Sequence, residues 1–171
     1  MQTGRTQNNK VQKEEQIWQW LEEVSDPEIP VLTVVDLGVI RAVDFVDDAC
    51  RVSITPTYSG CPAMNEIEAN ILEKLKAEGI ENAQVKMVLS PAWTTDWMTE
   101  KGKQKLQEYG IAPPEGSSAD KSVLFGDPKK VTCPHCKSRE TVLISQFGST
   151  ACKSLYKCDS CKEPFDYFKC L

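Results

Sequence analysis

Cys133-Pro134-His135-Cys136 and Cys158-Asp159-Ser160-Cys161 are two C-x-x-C pairs separated by 21 residues. Each pair can wrap a tight turn that presents two sulfurs to one ion, and two such turns complete a tetrahedron of thiolates. Between the pairs, Thr141 to Phe147 and Lys153 to Lys157 read as strands joined through Gly148-Ser149-Thr150, and Phe165 to Lys169 reads as a third. A module this small buries too little surface to fold unaided, so the metal is expected to supply the missing stability. Residues 131–171 are therefore expected to form a zinc ribbon in which Cys133, Cys136, Cys158 and Cys161 hold one structural Zn²⁺. His135 lies inside the first knuckle. Four thiolates already suffice, so it is expected to be exposed.

Composition bounds the rest. A chain of 171 residues with 40% hydrophobic and 26% charged side chains belongs with soluble globular proteins, not disordered ones. No apolar run approaches the roughly 20 residues needed to cross a bilayer, so no membrane partner is expected. Met1 to Lys10 is polar and lacks the apolar centre of a secretory signal. Together with the C-x-x-C spacing, that assigns the eight cysteines to metal chemistry in a reducing, cytoplasmic setting and not to a disulfide framework. Residues 1–128 carry 12 basic and 21 acidic side chains, and residues 129–171 carry 8 and 4. Four thiolates around Zn²⁺ remove about two positive charges from that tail. What remains is little attraction for nucleic acid, whose non-specific binding rests on phosphate neutralisation.

Upstream, residues 1–10 read as a disordered lead-in. Ile17, Trp20, Leu21 and Val24 recur at helical spacing within Val11 to Val24, and Ser25-Asp26-Pro27-Glu28-Ile29-Pro30 stops that helix. Val31 to Val35 and Val39 to Phe45 read as extended, broken at Asp36-Leu37-Gly38, and Asp47-Asp48 turns the chain into a partner strand, Cys50 to Thr55. Met64, Ile67, Ile71, Leu72 and Leu75 trace a second helix ending near Gly79, Val85 to Leu89 a third strand, and Thr95 to Tyr109 a third helical stretch ending at Gly110. Residues 111–130, with Pro113-Pro114 and Gly116-Ser117-Ser118, read as a linker. The expected architecture is α+β: a domain over 11–110 with a three-stranded sheet and helices, then the ribbon.

Cys61 precedes Pro62, and proline is favoured at the first position of a helix. The thiol would then sit at the N-cap, where free backbone N–H groups and the helix dipole favour a thiolate. Its alternative is a buried small hydrophobe. Asp26, Glu28 and Asp36 lie in loops, where carboxylates either cap backbone donors or gather with Cys61 around one pocket. Cys50, beside Val52 and Ile54, reads as core, whereas Cys152 and Cys170 fall outside the four-cysteine set as candidate exposed thiols.

Asp26-Pro-Glu-Ile-Pro30, Asp36-Leu-Gly38 and Thr57-Tyr-Ser-Gly-Cys61-Pro62 resemble the iron–sulfur assembly domains that include the SufT-type proteins. Pro91-Ala-Trp-Thr-Thr-Asp-Trp-Met98, Phe147-Gly-Ser-Thr-Ala-Cys152-Lys153 and Glu163-Pro-Phe-Asp-Tyr-Phe-Lys-Cys170 narrow the resemblance to the PaaD family, whose members accompany the bacterial phenylacetyl-CoA ring 1,2-epoxidase of aerobic phenylacetate catabolism. The resemblance implies an accessory protein that matures or inserts the iron or iron–sulfur centres of the oxygenase and reductase, with those subunits as partners. It places Cys61 as the reactive thiol, Asp26, Glu28 and Asp36 in the acidic loop, and an iron ion or iron–sulfur cluster as transient cargo. The alternative is a stably bound structural or regulatory subunit of the same complex. Independently, a chain with one histidine, no helical Glu-x-x-His pair and no G-x-G-x-x-G loop lacks the donors of a di-iron oxygenase and the phosphate cradle of a dinucleotide reductase. It is not expected to be an enzyme by itself.

Overall fold

The computed structural model describes residues 3–46, 49–116 and 129–169. The chain divides into two compact units, Met1–Ala92 and Trp93–Leu171.

In the first unit, helix α1 spans Thr3–Leu21. It begins within the segment expected to be a disordered lead-in, since no proline interrupts the run and the backbone extends the helix fixed downstream. Ile17 and Leu21 are buried and Trp20 is half-buried, as the helical spacing requires. Strand β1 (Ile40–Val46) pairs antiparallel with β2 (Ala49–Ile54), from Ile40 opposite Ile54 to Val46 opposite Ala49. The expected turn at Asp47-Asp48 lies outside the described residues. Helix α2 (Ala63–Ala77) then carries the chain across to β3 (Ala83–Met87), which pairs in parallel with β2. The result is the expected three-stranded sheet, in the order β1-β2-β3. Period-two burial of Cys50, Val52 and Ile54 and helical-period burial of Met64, Ile67, Ile71 and Leu75 build its core.

Val31 to Val35 is not the extended segment expected. The segment is turned, and its sole ladder feature is an isolated bridge between Ser25 and Thr33. Its branched side chains serve burial instead, with Leu32 and Val34 fully enclosed. The backbone is tied back to the end of α1 by Asp26 N–H to Leu32 O at 2.8 Å and Val34 N–H to Val24 O at 2.9 Å.

The second unit opens with a 3-10 turn, Thr95–Trp97, and helix α3, Glu100–Tyr109. The Thr99 hydroxyl accepts the Gly102 N–H at 2.9 Å to start α3. Gly110, at φ 91°, ends it in the left-handed conformation. A four-stranded sheet follows, order β4-β7-β6-β5, from β4 (Ile111–Ala112), β5 (Thr141–Ser145), β6 (Lys153–Cys158) and β7 (Pro164–Phe168). Two boundaries differ from expectation. Helix α3 groups with the ribbon, and the supposed linker begins with β4, which pairs in parallel with β7. Ile111 and Ala112 are buried, a role that the prolines following them obscured in the sequence. Trp93 meets Phe168 edge-on, ring centroids 6.1 Å apart.

Candidate metal centre and thiol loop

The turn between β6 and β7 and a turned segment ahead of β5 bring the paired cysteines together. The knuckles repeat one backbone plan: Cys133 N–H donates to Ser138 O at 2.9 Å, and Cys158 N–H donates to Glu163 O at 3.0 Å, five residues on in each case. Lys137 and Lys162, directly after the second cysteines, have φ 64° and 67°. The four sulfurs lie within 4.8 Å of one another, with Cys133 Sγ to Cys161 Sγ at 3.8 Å and Cys136 Sγ to Cys158 Sγ at 3.5 Å. A tetrahedral ion with Zn–S bonds of about 2.3 Å has S···S edges of about 3.8 Å. The residues therefore fit zinc. Backbone N–H groups of Cys161 and Ser160 lower the Cys158 thiol, while contacts with the neighbouring cysteine sulfurs raise that of Cys161, as four thiols sharing protons at one site do. Cys133 and Cys158 are fully buried, Cys161 is half-buried, and Cys136 is exposed. His135 is exposed, as expected.

Among the described residues, the four cysteines are the one group of three or more such donors gathered this closely. Cys61 with Asp26, Glu28 and Asp36 does not form a second. Asp26 is buried and occupied locally: its Oδ1 accepts the N–H of Glu28 at 2.9 Å and of Ile29 at 2.7 Å. Asp36 is buried too, its Oδ2 accepting the Thr33 N–H at 3.2 Å while Thr33 Oγ1 accepts the Asp36 N–H at 3.0 Å. Both carboxylates thus cap loop donors. Glu28 is half-buried.

Helix α2 begins at Ala63 with Pro62, at φ −68° and ψ −24°, as its N-cap, so Cys61 lies one residue before the N-cap position expected for it. No side chain caps this end. Cys61 is half-exposed, so its alternative as an enclosed core residue does not hold. Its N–H donates to Tyr58 O at 3.2 Å and its carbonyl accepts the Met64 N–H at 3.3 Å, a turn for which Gly60 supplies φ 81°. Register sets where the thiol and acidic loops join the sheet. Ile54, where the thiol loop leaves β2, pairs with Ile40, where the acidic loop enters β1, and Thr55 N–H donates to Val39 O at 2.8 Å. Both loops therefore emerge at one end of the sheet.

Cys50 is core, as expected, and burial followed by the charges of Asp44 and Glu14 pushes its thiol up to about 11. Cys152 is not the exposed thiol expected. It is buried, with the Thr150 hydroxyl 3.0 Å from its sulfur, because bonds between Gly148 N–H and Lys153 O and between Lys153 N–H and Thr150 O fold the hairpin tip over it. Cys170 lies outside the described residues.

Residues 117–169 match the family described as the PaaD zinc beta ribbon domain, and residues 14–89 match that described as iron–sulfur cluster assembly protein. Over 156 residues the chain is 51% identical to an Escherichia coli (strain K12) protein provisionally named as a subunit of 1,2-phenylacetyl-CoA epoxidase, covering 91% of this chain and 92% of that one. The chain belongs to the PaaD family. The PaaD ribbon is thus joined to an assembly-type domain with relatives of its own. A Porphyromonas gingivalis protein named Fe-S protein maturation auxiliary factor is 36% identical over 101 residues, 58% of this chain and 95% of that one. A crystal structure of the domain of unknown function DUF59 from Bacillus anthracis superposes with a TM-score of 0.53 at 25% identity, covering 57% of this chain and 94% of that one. The α+β class and the zinc ribbon expected from sequence agree with these relatives. No helix among the described residues is long and apolar enough to cross a membrane.

Proposed function

We propose that this PaaD-family chain is an accessory component of a phenylacetyl-CoA epoxidase system, acting in the cytoplasm to mature or insert iron or iron–sulfur centres of the oxygenase or reductase. One observation carries the reading: a half-exposed cysteine just before an uncapped helix start, on a loop that leaves the same end of the sheet as the loop of Asp26 and Asp36, in an assembly-type domain. A thiol so placed can ligate iron or a cluster transiently, with the cluster as cargo and not as resident cofactor. The zinc held by Cys133, Cys136, Cys158 and Cys161 supplies structure in this scheme, because a closed four-thiolate set leaves no open coordination position for chemistry. The assembly-type domain supports a role accessory to the oxygenase and reductase.

The test is co-expression of the Cys61→Ser chain with the other epoxidase components. The expected result is a folded, zinc-replete variant whose oxygenase and reductase carry less iron. Fully iron-loaded, active partners would overturn the proposal.

The name of the Escherichia coli relative, a subunit, favours a second reading in which the chain stays bound as a structural or regulatory part without handling metal. Co-purification at a fixed ratio, with iron loading indifferent to Cys61, would select that reading.

A further inference from the structure

Thr55 opens the loop that carries Cys61, directly after β2, and it is 1% exposed. Its hydroxyl is buried with no hydrogen-bond partner among the described residues. Asp44 Oδ1 and Arg51 Nε share that condition, but their side chains form an ion pair with each other at 3.0 Å. Thr55 has no such counterpart. A buried hydroxyl without a bond costs stability, and valine fills nearly the same space without that cost. The fold as it stands therefore gives no reason for threonine here. The residue is also firmly placed. Thr55 N–H donates to Val39 O at 2.8 Å, beside the start of β1 where the acidic loop ends. β-Branching restricts its side chain, and Pro56 keeps Thr55 extended and offers no N–H to the hydroxyl oxygen. The turn beyond is held less tightly. Cys61 N–H to Tyr58 O is 3.2 Å and Met64 N–H to Cys61 O is 3.3 Å, long for backbone bonds.

We propose that Thr55 is a positioning residue for Cys61. When the thiolate takes up iron or a cluster, the turn from Tyr58 to Cys61 shifts, and the Thr55 hydroxyl gains its missing bond from the shifted loop. This inference rests on the maturation role proposed above and deepens it, by naming what stabilises the loaded arrangement of the thiol. Thr55 does not touch the cargo in this scheme; it acts through the loop. The energetic logic is linkage. A ligand shifts a protein between two arrangements only by what it gains in one and not in the other. A hydrogen bond made solely in the loaded arrangement adds its whole worth to cargo retention, a factor of about ten. The firm base at Thr55 and the looser turn at Cys61 divide the two tasks. One stays fixed while the other moves.

The experiment co-expresses each full-length variant with the oxygenase and reductase and measures the iron those partners carry. The melting temperature of the purified, zinc-loaded chain is measured alongside. Thr55→Val is expected to melt no lower than wild type, because it removes a hydroxyl that bonds nothing, yet to lower partner iron at least about threefold. Thr55→Ser keeps the hydroxyl and loses a methyl group, so it is expected to melt lower and still deliver iron. Stability and delivery then move in opposite directions, whereas a purely structural role moves them together. A lower melting temperature in Thr55→Val would show that the hydroxyl is already bonded in the cargo-free chain, and would overturn the proposal. So would full iron delivery by Thr55→Val, or an equal deficit in Thr55→Ser, in an experiment where Cys61→Ser fails to deliver. Full delivery by Cys61→Ser as well would instead remove the maturation role, and this inference with it.

Discussion

Lys137 and Lys162 hold the same left-handed backbone conformation, φ 64° and 67°, each one residue after the second cysteine of its pair. Non-glycine residues pay roughly 1–2 kcal/mol for this region, and a β-branched side chain pays more. We expect zinc binding to be coupled to ribbon folding, so that cost should be read in zinc affinity. Lys162→Gly is expected to tighten zinc by up to about 1 kcal/mol, and Lys162→Val to weaken it by about 1–2 kcal/mol. Competition against a chromophoric chelator measures both. Equal affinities for the two variants would show that the knuckle relaxes away from the observed turn.

Asp26 should behave as a structural carboxylate. Its Oδ1 accepts two backbone N–H groups while buried, so Asp26→Ala is expected to destabilise the first unit by about 2–3 kcal/mol. Asp26→Asn keeps a neutral acceptor in place and should cost about half as much. Hydrogen exchange at the amides of Glu28 and Ile29 reports this locally: both should lose protection in the alanine variant. Unchanged protection together with lost iron delivery would return Asp26 to a role at the metal cargo alone.

What the sequence disclosed followed the strength of each local signal. The gathering of Cys133, Cys136, Cys158 and Cys161 was legible because paired C-x-x-C spacing around a hairpin brings four sulfurs together. Helix α2 and strand β2 were legible because Ile67, Ile71 and Leu75, and Val52 and Ile54, repeat at the periods of their structures. Val31 to Val35 misled because branched residues in a buried loop and in a strand look alike, and the reciprocal bonds between Thr33 and Asp36 that decide for the loop are not periodic. Strand β4 was hidden because two residues carry no period at all, and its partner β7 lies some fifty residues downstream. Burial of Cys152 depended on how the hairpin tip closes, which composition does not encode. That the Cys61 and acidic loops leave the sheet at one end rests on the pairing of Ile40 with Ile54, a long-range register that spacing could not reveal.

Cys50 predicts an alkaline limit to stability. Its thiol is fully buried and raised from 9.0 to about 11, chiefly by burial and then by Asp44 and Glu14. The folded state thus holds a proton that the unfolded chain gives up sooner. The contribution is complete below pH 9, declines as pH rises toward 11, and is then lost, amounting to roughly 2–3 kcal/mol. Denaturant unfolding between those pH values should show a falling stability in wild type and a shallower slope in Cys50→Ala, whatever the variant loses in packing. Parallel slopes would refute the assignment.

Gly60 should control how the Cys61 thiol is presented. Its φ of 81° lies in the left-handed region, while a methyl group added there would meet nothing within 4 Å. Any penalty for Gly60→Ala is therefore conformational, about 1–2 kcal/mol, and not a clash. Relief comes by leaving the left-handed well, which breaks the bond from Cys61 N–H to Tyr58 O and moves the residue that precedes α2. Asparagine tolerates the same well better, so Gly60→Asn should retain the turn. The rate of Cys61 alkylation, followed by mass spectrometry on the intact chain, should change in Gly60→Ala and stay near wild type in Gly60→Asn. Zinc content should hold in both, since the ribbon belongs to the other unit. If alanine and asparagine behave alike, the turn at Gly60 does not govern the thiol.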